Sequence, residues 1–177
     1  MIASSTRVQE PTLAIGAQGD DVRFLQSYIN YRFEQLSLLS GTQIRVDGYF
    51  GPKTRNAAKY LQCIGGLRVD GRVGPQTWRF IKDGYAGLPV LRRGSQGSGV
   101  HAVQLMLKRL QFSELITDGV FGEQTERALK TMQQRFGLVP DGIVGPNTWK
   151  PIAEARFFSQ PCAAYVEHID FQNVSEE

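Results

Sequence analysis

Histidine, cysteine and tryptophan are scarce in this chain of 177 residues, with two of each. A catalytic zinc site draws on three protein ligands at defined spacing. His101 and His168 stand far apart in no such motif, so no metal is expected. Cys63 has no Gly-rich nucleophile motif beside it and Cys162 lies near the C-terminus, so neither reads as a catalytic thiol. No apolar run approaches the ~20 residues of a membrane span. Met1 to Pro11 is polar and lacks the apolar centre of a secretory signal peptide, which leaves a mature chain, another export route or release by lysis open. The basic residues are scattered and no nucleic-acid-binding motif occurs, so nucleic acid is not an expected partner. These absences point away from an enzyme and away from a bound cofactor.

What is abundant is one phrase. It reads Asp47-Gly48-Tyr49-Phe50-Gly51, Asp70-Gly71-Arg72-Val73-Gly74, Asp118-Gly119-Val120-Phe121-Gly122 and Asp141-Gly142-Ile143-Val144-Gly145. The first pair recurs as the second at one offset (118 − 47 = 71; 141 − 70 = 71), the mark of a duplicated folding unit. Asp-Gly is turn chemistry: the carboxylate accepts nearby backbone N–H groups, and Gly supplies positive φ. This explains the recurrent acids without the paired carboxylates a glycosidase needs. The fourth residue, Phe50, Val73, Phe121 or Val144, is an apolar plug beneath the turn. Pro52, Pro75 and Pro146 then mark helix starts. Thr54, Thr77, Thr125 and Thr148 follow, with hydroxyls that can serve the open first turn.

The helices behind these starts carry apolar stripes. One set is Ala57, Ala58, Leu61 and Ile64; its partner is Ala128, Leu129, Met132 and Phe136, each ended by Gly-Leu at Gly66 and Gly137. Short helices with Trp78 and Ile81, and with Trp149 and Ile152, follow the second and fourth phrases; both Trp rings are expected in the core. A helix preceded by Gly19 begins at Asp20-Asp21, acid that suits the macrodipole, and uses Val22, Leu25, Ile29 and Leu36. Its partner begins near Ser98 and uses Val100, Val103, Leu107 and Leu110. Gly19 to Gly97 is 97 − 19 = 78, seven more than 71, so repeat one holds an insertion. Tyr31 to Gln43 is its expected place, as a longer helix or a bulkier loop.

The net charge of +3 is uneven. Residues 13–83 hold ten Lys or Arg against six acids, and residues 91–156 nine against six. The segment from Phe157 holds four acids and no Lys or Arg. A mildly basic body suits an anionic polymer. The tail also carries Phe157, Phe158, Tyr165, Val166, Ile169 and Phe171 and is expected to pack against the domains. The short linker Asp83 to Pro89 should hold the two units close.

In full, the pattern is a lead-in Gly, a helix, Asp-Gly-x-Phe-Gly-Pro-x-Thr, a helix ending Gly-Leu, then Asp-Gly-x-Val-Gly-Pro-x-Thr-Trp. It resembles the type 1 peptidoglycan-binding domain, a three-helix module of bacterial and phage wall hydrolases. The resemblance implies an all-α fold of two tandem three-helix domains with short loops and an ordered C-terminal tail. The expected boundaries are 1–12 for an extension, 13–83 and 90–156 for the repeats, and 157–177 for the tail. The implied function is non-catalytic binding of cell-wall peptidoglycan, by glycan strand or stem peptide, in the envelope or outside the cell. The alternatives are the wall-targeting part of a hydrolase whose catalytic part is elsewhere, or a protein-partner scaffold. Candidate ligand contacts are the x residues Tyr49, Arg72, Val120 and Ile143, expected to face solvent beside helix N-termini. Asp47, Gly48, Asp70, Gly71, Asp118, Gly119, Asp141 and Gly142, with the four Thr, are read as turn and cap residues. Phe50, Trp78, Phe121 and Trp149 are read as core. Repeat one departs from repeat two at Cys63-Ile64-Gly65, where repeat two has Gln134-Arg135-Phe136, so its groove is expected to differ. A Cys63–Cys162 disulfide is left open.

Overall fold

The computed structural model describes residues 10–35, 43–110, 112–157 and 162, with the backbone only over 153–157. Among them are six α-helices and no β-strand: α1 (Asp20–Gln35), α2 (Pro52–Ile64), α3 (Pro75–Asp83), α4 (Ser98–Arg109), α5 (Glu123–Arg135) and α6 (Pro146–Phe157). A 3-10 turn, Gly84–Gly87, follows α3. The chain is thus all-α, with three helices in each of two tandem units. The stripes read from the sequence face inward: Val22, Leu25, Ile29, Ala57, Ala58, Leu61 and Ile64 in the first unit, Val100, Val103, Leu107, Leu129 and Met132 in the second. Phe50, Val73, Phe121 and Val144 are buried plugs, and Trp78 and Trp149 are enclosed at 1% and 0% exposure. Leu36 lies outside the described residues, as do His168 and the tail apart from Phe157 and Cys162.

One expectation needs correction. Phe136 does not continue the buried stripe of α5. It sits just past the helix end and is 46% exposed. The glycine of each Gly-Leu stop is the residue after the cap: Gly66 and Gly137, at φ +65° and +68°, donate to the carbonyls of Cys63 and Gln134. Leu67 and Leu138 then donate to those of Gln62 and Gln133 at 2.8 Å. Both bonds together make a Schellman ending. The insertion in repeat one does lengthen its first helix: α1 has 16 residues and α4 has 12.

Each lead-in is pinned along both phrases of its own repeat. Leu13 pairs with Val73, Gln18 with Tyr49, Leu91 with Val144 and Gln96 with Val120. The indole Nε1 of Trp78 donates to the Pro11 carbonyl at 2.9 Å, and that of Trp149 to the Pro89 carbonyl at 2.8 Å. Lys82 meets Glu10 at 2.7 Å. The packed units therefore reach back to Glu10 and Pro89.

The join between the repeats is tight. The 3-10 turn lies against α3, and a side chain on Gly87 would strike the Arg79 carbonyl. Arg32, nearly buried, donates to the carbonyls of Ile81 at 2.9 Å and Lys82 at 2.6 Å, a cation closing the C-terminus of α3. Burial pulls its pKa downward, and nearby Asp83, Tyr31 and Tyr85 oppose that. The C-terminal end of α2 abuts repeat two: a Cβ on Gly66 would sit 3.1 Å from the Ala102 Cβ and 3.2 Å from the Trp149 ring. Cys63 is disulfide-bonded to Cys162, 99 residues on.

Candidate functional site

The phrases are organised by four glutamines that an apolar-stripe reading passes over. Gln104, on α4, is 1% exposed. Its Nε2 faces Asp118 Oδ1 at 2.9 Å, the Val120 carbonyl at 3.0 Å and Thr125 Oγ1 at 3.2 Å. Its Oε1 accepts the Gly119 N–H at 2.8 Å. Gln26 on α1 repeats this with Asp47, Tyr49, Thr54 and Gly48. Gln62 on α2 does so with Asp70, Arg72, Thr77 and Gly71. Gln133 on α5 does so with Asp141, Ile143, Thr148 and Gly142. Acceptors gather at one end of each amide and an N–H at the other, which fixes its orientation. A buried glutamine needs its partners, because each polar group left unpaired in the interior costs about 1–3 kcal/mol.

Each Asp also closes its own turn. Oδ1 of Asp47, Asp70, Asp118 and Asp141 accepts the N–H of the residue two on, at 2.8–2.9 Å. The Gln26 amide, then the Tyr49 N–H, hold the Asp47 carboxyl below its usual range. For Asp118 the Val120 N–H leads and Gln104 follows, in the same direction. The glycines Gly48, Gly71, Gly119 and Gly142 take φ between +72° and +77°, as the turn requires. The threonines do not cap as expected. Gly51, Gly74 and Gly122 stand at the N-caps without a side-chain cap; each Thr hydroxyl accepts from its glutamine, and those of Thr54 and Thr148 donate to the carbonyls of Tyr49 and Ile143.

The signal for the glutamines was present: 104 − 26 = 78 and 133 − 62 = 71, the offsets already seen for the lead-ins and the phrases.

The x side chains lie outside this network. Tyr49 is 46% exposed and Val120 43%, Arg72 is exposed and Ile143 half-buried. Their peptide groups are not open to a ligand, since each N–H goes to its Asp and each carbonyl to its glutamine. Nor are the four x side chains brought together: within a repeat, the two phrases hold opposite ends of one lead-in. Tyr49 folds over the closing Gly51, whose Cβ would lie 3.0 Å from its ring. The difference expected at Gly65 belongs to packing. A Cβ there would meet the Phe80 ring at 3.0 Å, and the neighbouring Gly66 carries the contact with repeat two.

Grooves among the described residues flank this framework. One of 270 Å³ lies at the second phrase, between Thr12, Leu67, Arg68, Arg72, Pro75 and Gln76. Two in repeat two, of 390 and 250 Å³, share Phe112, over which Arg135 stacks at 5.2 Å. Among the described residues no group of three or more His, Cys, Asp or Glu could hold a metal, and no helix is long and apolar enough to cross a membrane. His101 is exposed on α4.

Two tandem helical units, each built on a pair of Asp-Gly turns tied to buried glutamines, define a duplicated binding-module fold. The sequence model of the peptidoglycan binding domain family matches residues 18–81 and 96–152, and the chain belongs to that family. Over 125 residues it is 32% identical to N-acetylmuramoyl-L-alanine amidase CwlM of Mycobacterium tuberculosis, covering 67% of this chain and 30% of that protein. It is 36% identical over 74 residues to a spore cortex-lytic enzyme of Bacillus cereus, covering 42% and 29%. To the zinc D-Ala-D-Ala carboxypeptidase of Streptomyces albus G it is 34% identical over 109 residues, covering 60% and 39%. The match thus spans well under half of each of these relatives. Among solved structures, the SleB N-terminal domain aligns with TM-score 0.37 and 38% identity, covering 38% of this chain and 93% of that one.

Proposed function

We propose that the chain binds bacterial cell-wall peptidoglycan without degrading it, through two modules in the envelope or outside the cell. The observation that carries this reading is the match of both repeats to a peptidoglycan binding domain family. The disulfide supports an oxidising location, since such bonds persist outside the reducing cytosol. A second reading has its own support: the relatives are named as wall amidases and lytic enzymes, and the match spans only part of each. In that reading these modules address a hydrolase to the wall, with the catalytic part elsewhere. Exposed Tyr49 and Arg72 are the proposed contacts of repeat one, and Val120 and Ile143 those of repeat two.

The test is co-sedimentation of the full chain with purified, teichoic-acid-free peptidoglycan, alongside the turbidity of wall suspensions. Binding at tens of micromolar protein without loss of turbidity is expected. Tyr49→Ala with Arg72→Ala should weaken sedimentation while leaving melting nearly unchanged, because exposed side chains contribute little to folding. Wild-type binding by that double variant would move the contact face elsewhere. Absence of sedimentation by the wild type would remove the reading itself.

A further inference from the structure

The two repeats have the same framework and opposite electrostatics at one matched place. Around the second phrase of repeat one stand Arg55, Lys59, Arg68 and Arg72, with Asp70. A Cβ on Gly71 would lie 2.7 Å from Arg55 Cγ and 3.1 Å from Lys59 Cε, so both of these basic side chains lie over the turn. Adding 71 to each number gives the matched set in repeat two: Glu126, Lys130, Val139 and Ile143, with Asp141. There Gly142 is covered by Lys130 and Glu126, which pair with each other at 2.8 Å. The formal charge is 4 − 1 = +3 at the first place and 1 − 2 = −1 at the second.

The Arg68 and Arg72 guanidinium groups are not closely paired by the acid beside them. Asp70 Oδ1 is turned inward to Gln62 and the Arg72 N–H, and Oδ2 reaches Arg68 only at 3.9 Å. The Arg68 side chain is 85% exposed. Arg55 Nε is buried with no hydrogen-bond partner among the described residues. Arg68 and Arg72 line the 270 Å³ groove, and Leu67 and Pro75 give it an apolar side. Guanidinium groups present paired donors that match a carboxylate, and such charged hydrogen bonds are the strong ones.

From this we infer that the groove at the second phrase of repeat one is a carboxylate subsite: it takes an acidic residue of the peptidoglycan stem peptide, and repeat two lacks it. This rests on the peptidoglycan-binding reading above. The carboxylate meets Arg68 and Arg72, and the aliphatic stem next to it lies on Leu67 and Pro75. A glycan strand without carboxylates would gain nothing from these two guanidinium groups, and a groove this small admits a side chain and its peptide rather than a long segment.

The full chain is sedimented with teichoic-acid-free peptidoglycan, either untreated or with its carboxyls converted to methylamides by carbodiimide. Wild type is compared with Arg68→Gln/Arg72→Gln and with Arg79→Gln/Lys108→Gln, which makes the same charge change away from the groove. Loss of one or two charge-assisted hydrogen bonds corresponds to about tenfold weaker binding or more. That loss is expected for the groove variant on untreated walls and absent on amidated walls, where wild type should fall to the same level. The control variant should follow wild type on both, and thermal melts of all three should agree. If the groove variant binds untreated walls as wild type does, the subsite is wrong while the peptidoglycan reading stands. If wild type fails to sediment, the reading itself fails. A groove-variant defect seen only on walls carrying teichoic acid would assign the site to phosphate and overturn the carboxylate. Should the double variant melt early, Arg68→Gln alone, at a largely exposed side chain, gives the same comparison.

Discussion

At the scale of single residues, the buried glutamines are where this fold is most vulnerable. Replacing Gln133 with Leu keeps an uncharged side chain of similar size but strands the Gly142 N–H, removes the amide donor from Asp141 and leaves the Ile143 carbonyl only the Thr148 hydroxyl. Destabilisation of about 2–4 kcal/mol is expected from denaturant unfolding of Gln133→Leu. A cost below that of an exposed substitution would show that water replaces the amide. The aspartates add a pH dependence. Asp47 and Asp118 carry carboxyls held below the usual aspartate value of 3.8. A group with a depressed folded-state pKa contributes stability that is present above its unfolded value and lost as pH falls through the folded one. The melting temperature should therefore drop as pH is lowered below about 4. Asn at position 118 keeps an oxygen acceptor and cannot titrate. The gap in melting temperature between wild type and Asp118→Asn should close at low pH, and a constant gap would contradict this. The sequence made the aspartates legible because Asp-Gly is a local signal. The glutamines escaped because their partners lie 8 to 28 residues away, a distance at which helical periodicity says nothing.

At the scale of elements, Gly66 and Gly137 form a matched pair. Both end a helix in the left-handed region, at φ +65° and +68°. Around Gly137 a Cβ would meet nothing within 4 Å, whereas at Gly66 it would meet Ala102 and Trp149. Ala at either site carries the left-handed strain of roughly 1–2 kcal/mol. Gly66→Ala should cost about 1–3 kcal/mol more than Gly137→Ala, because it also overpacks a close contact. Equal costs in parallel unfolding curves would mean that the two repeats part easily. Helix positions, the plug residues and the buried Trp rings could be read from periodicity and turn chemistry. The meaning of Cys63-Ile64-Gly65 could not, since Ile64 is fully buried where its counterpart Arg135 is exposed, and only the docking of one repeat on the other distinguishes them.

For the whole molecule, the disulfide closes a span of 99 residues that includes the linker and all of repeat two. Cross-links of such loops contribute about 2–5 kcal/mol, largely by restricting the unfolded chain. Cys63→Ala/Cys162→Ala should melt lower than the oxidised wild type and match the wild type after reduction. Indifference to reduction would show that the packed linker and the Gly66 contact suffice to hold the repeats.

The glutamine network touches the third residue of each phrase only through its peptide group. Whatever side chain other than proline's stands at positions 49, 72, 120 or 143, the same N–H meets the same aspartate and the same carbonyl meets the same amide. Folding is thereby uncoupled from the side chain at these four points, and mutation can vary them without passing through unfolded intermediates in sequence space. A library randomised at these four codons should yield mostly folded protein, making the chain a display scaffold whose selected members differ in what they grip and hardly at all in how they stand.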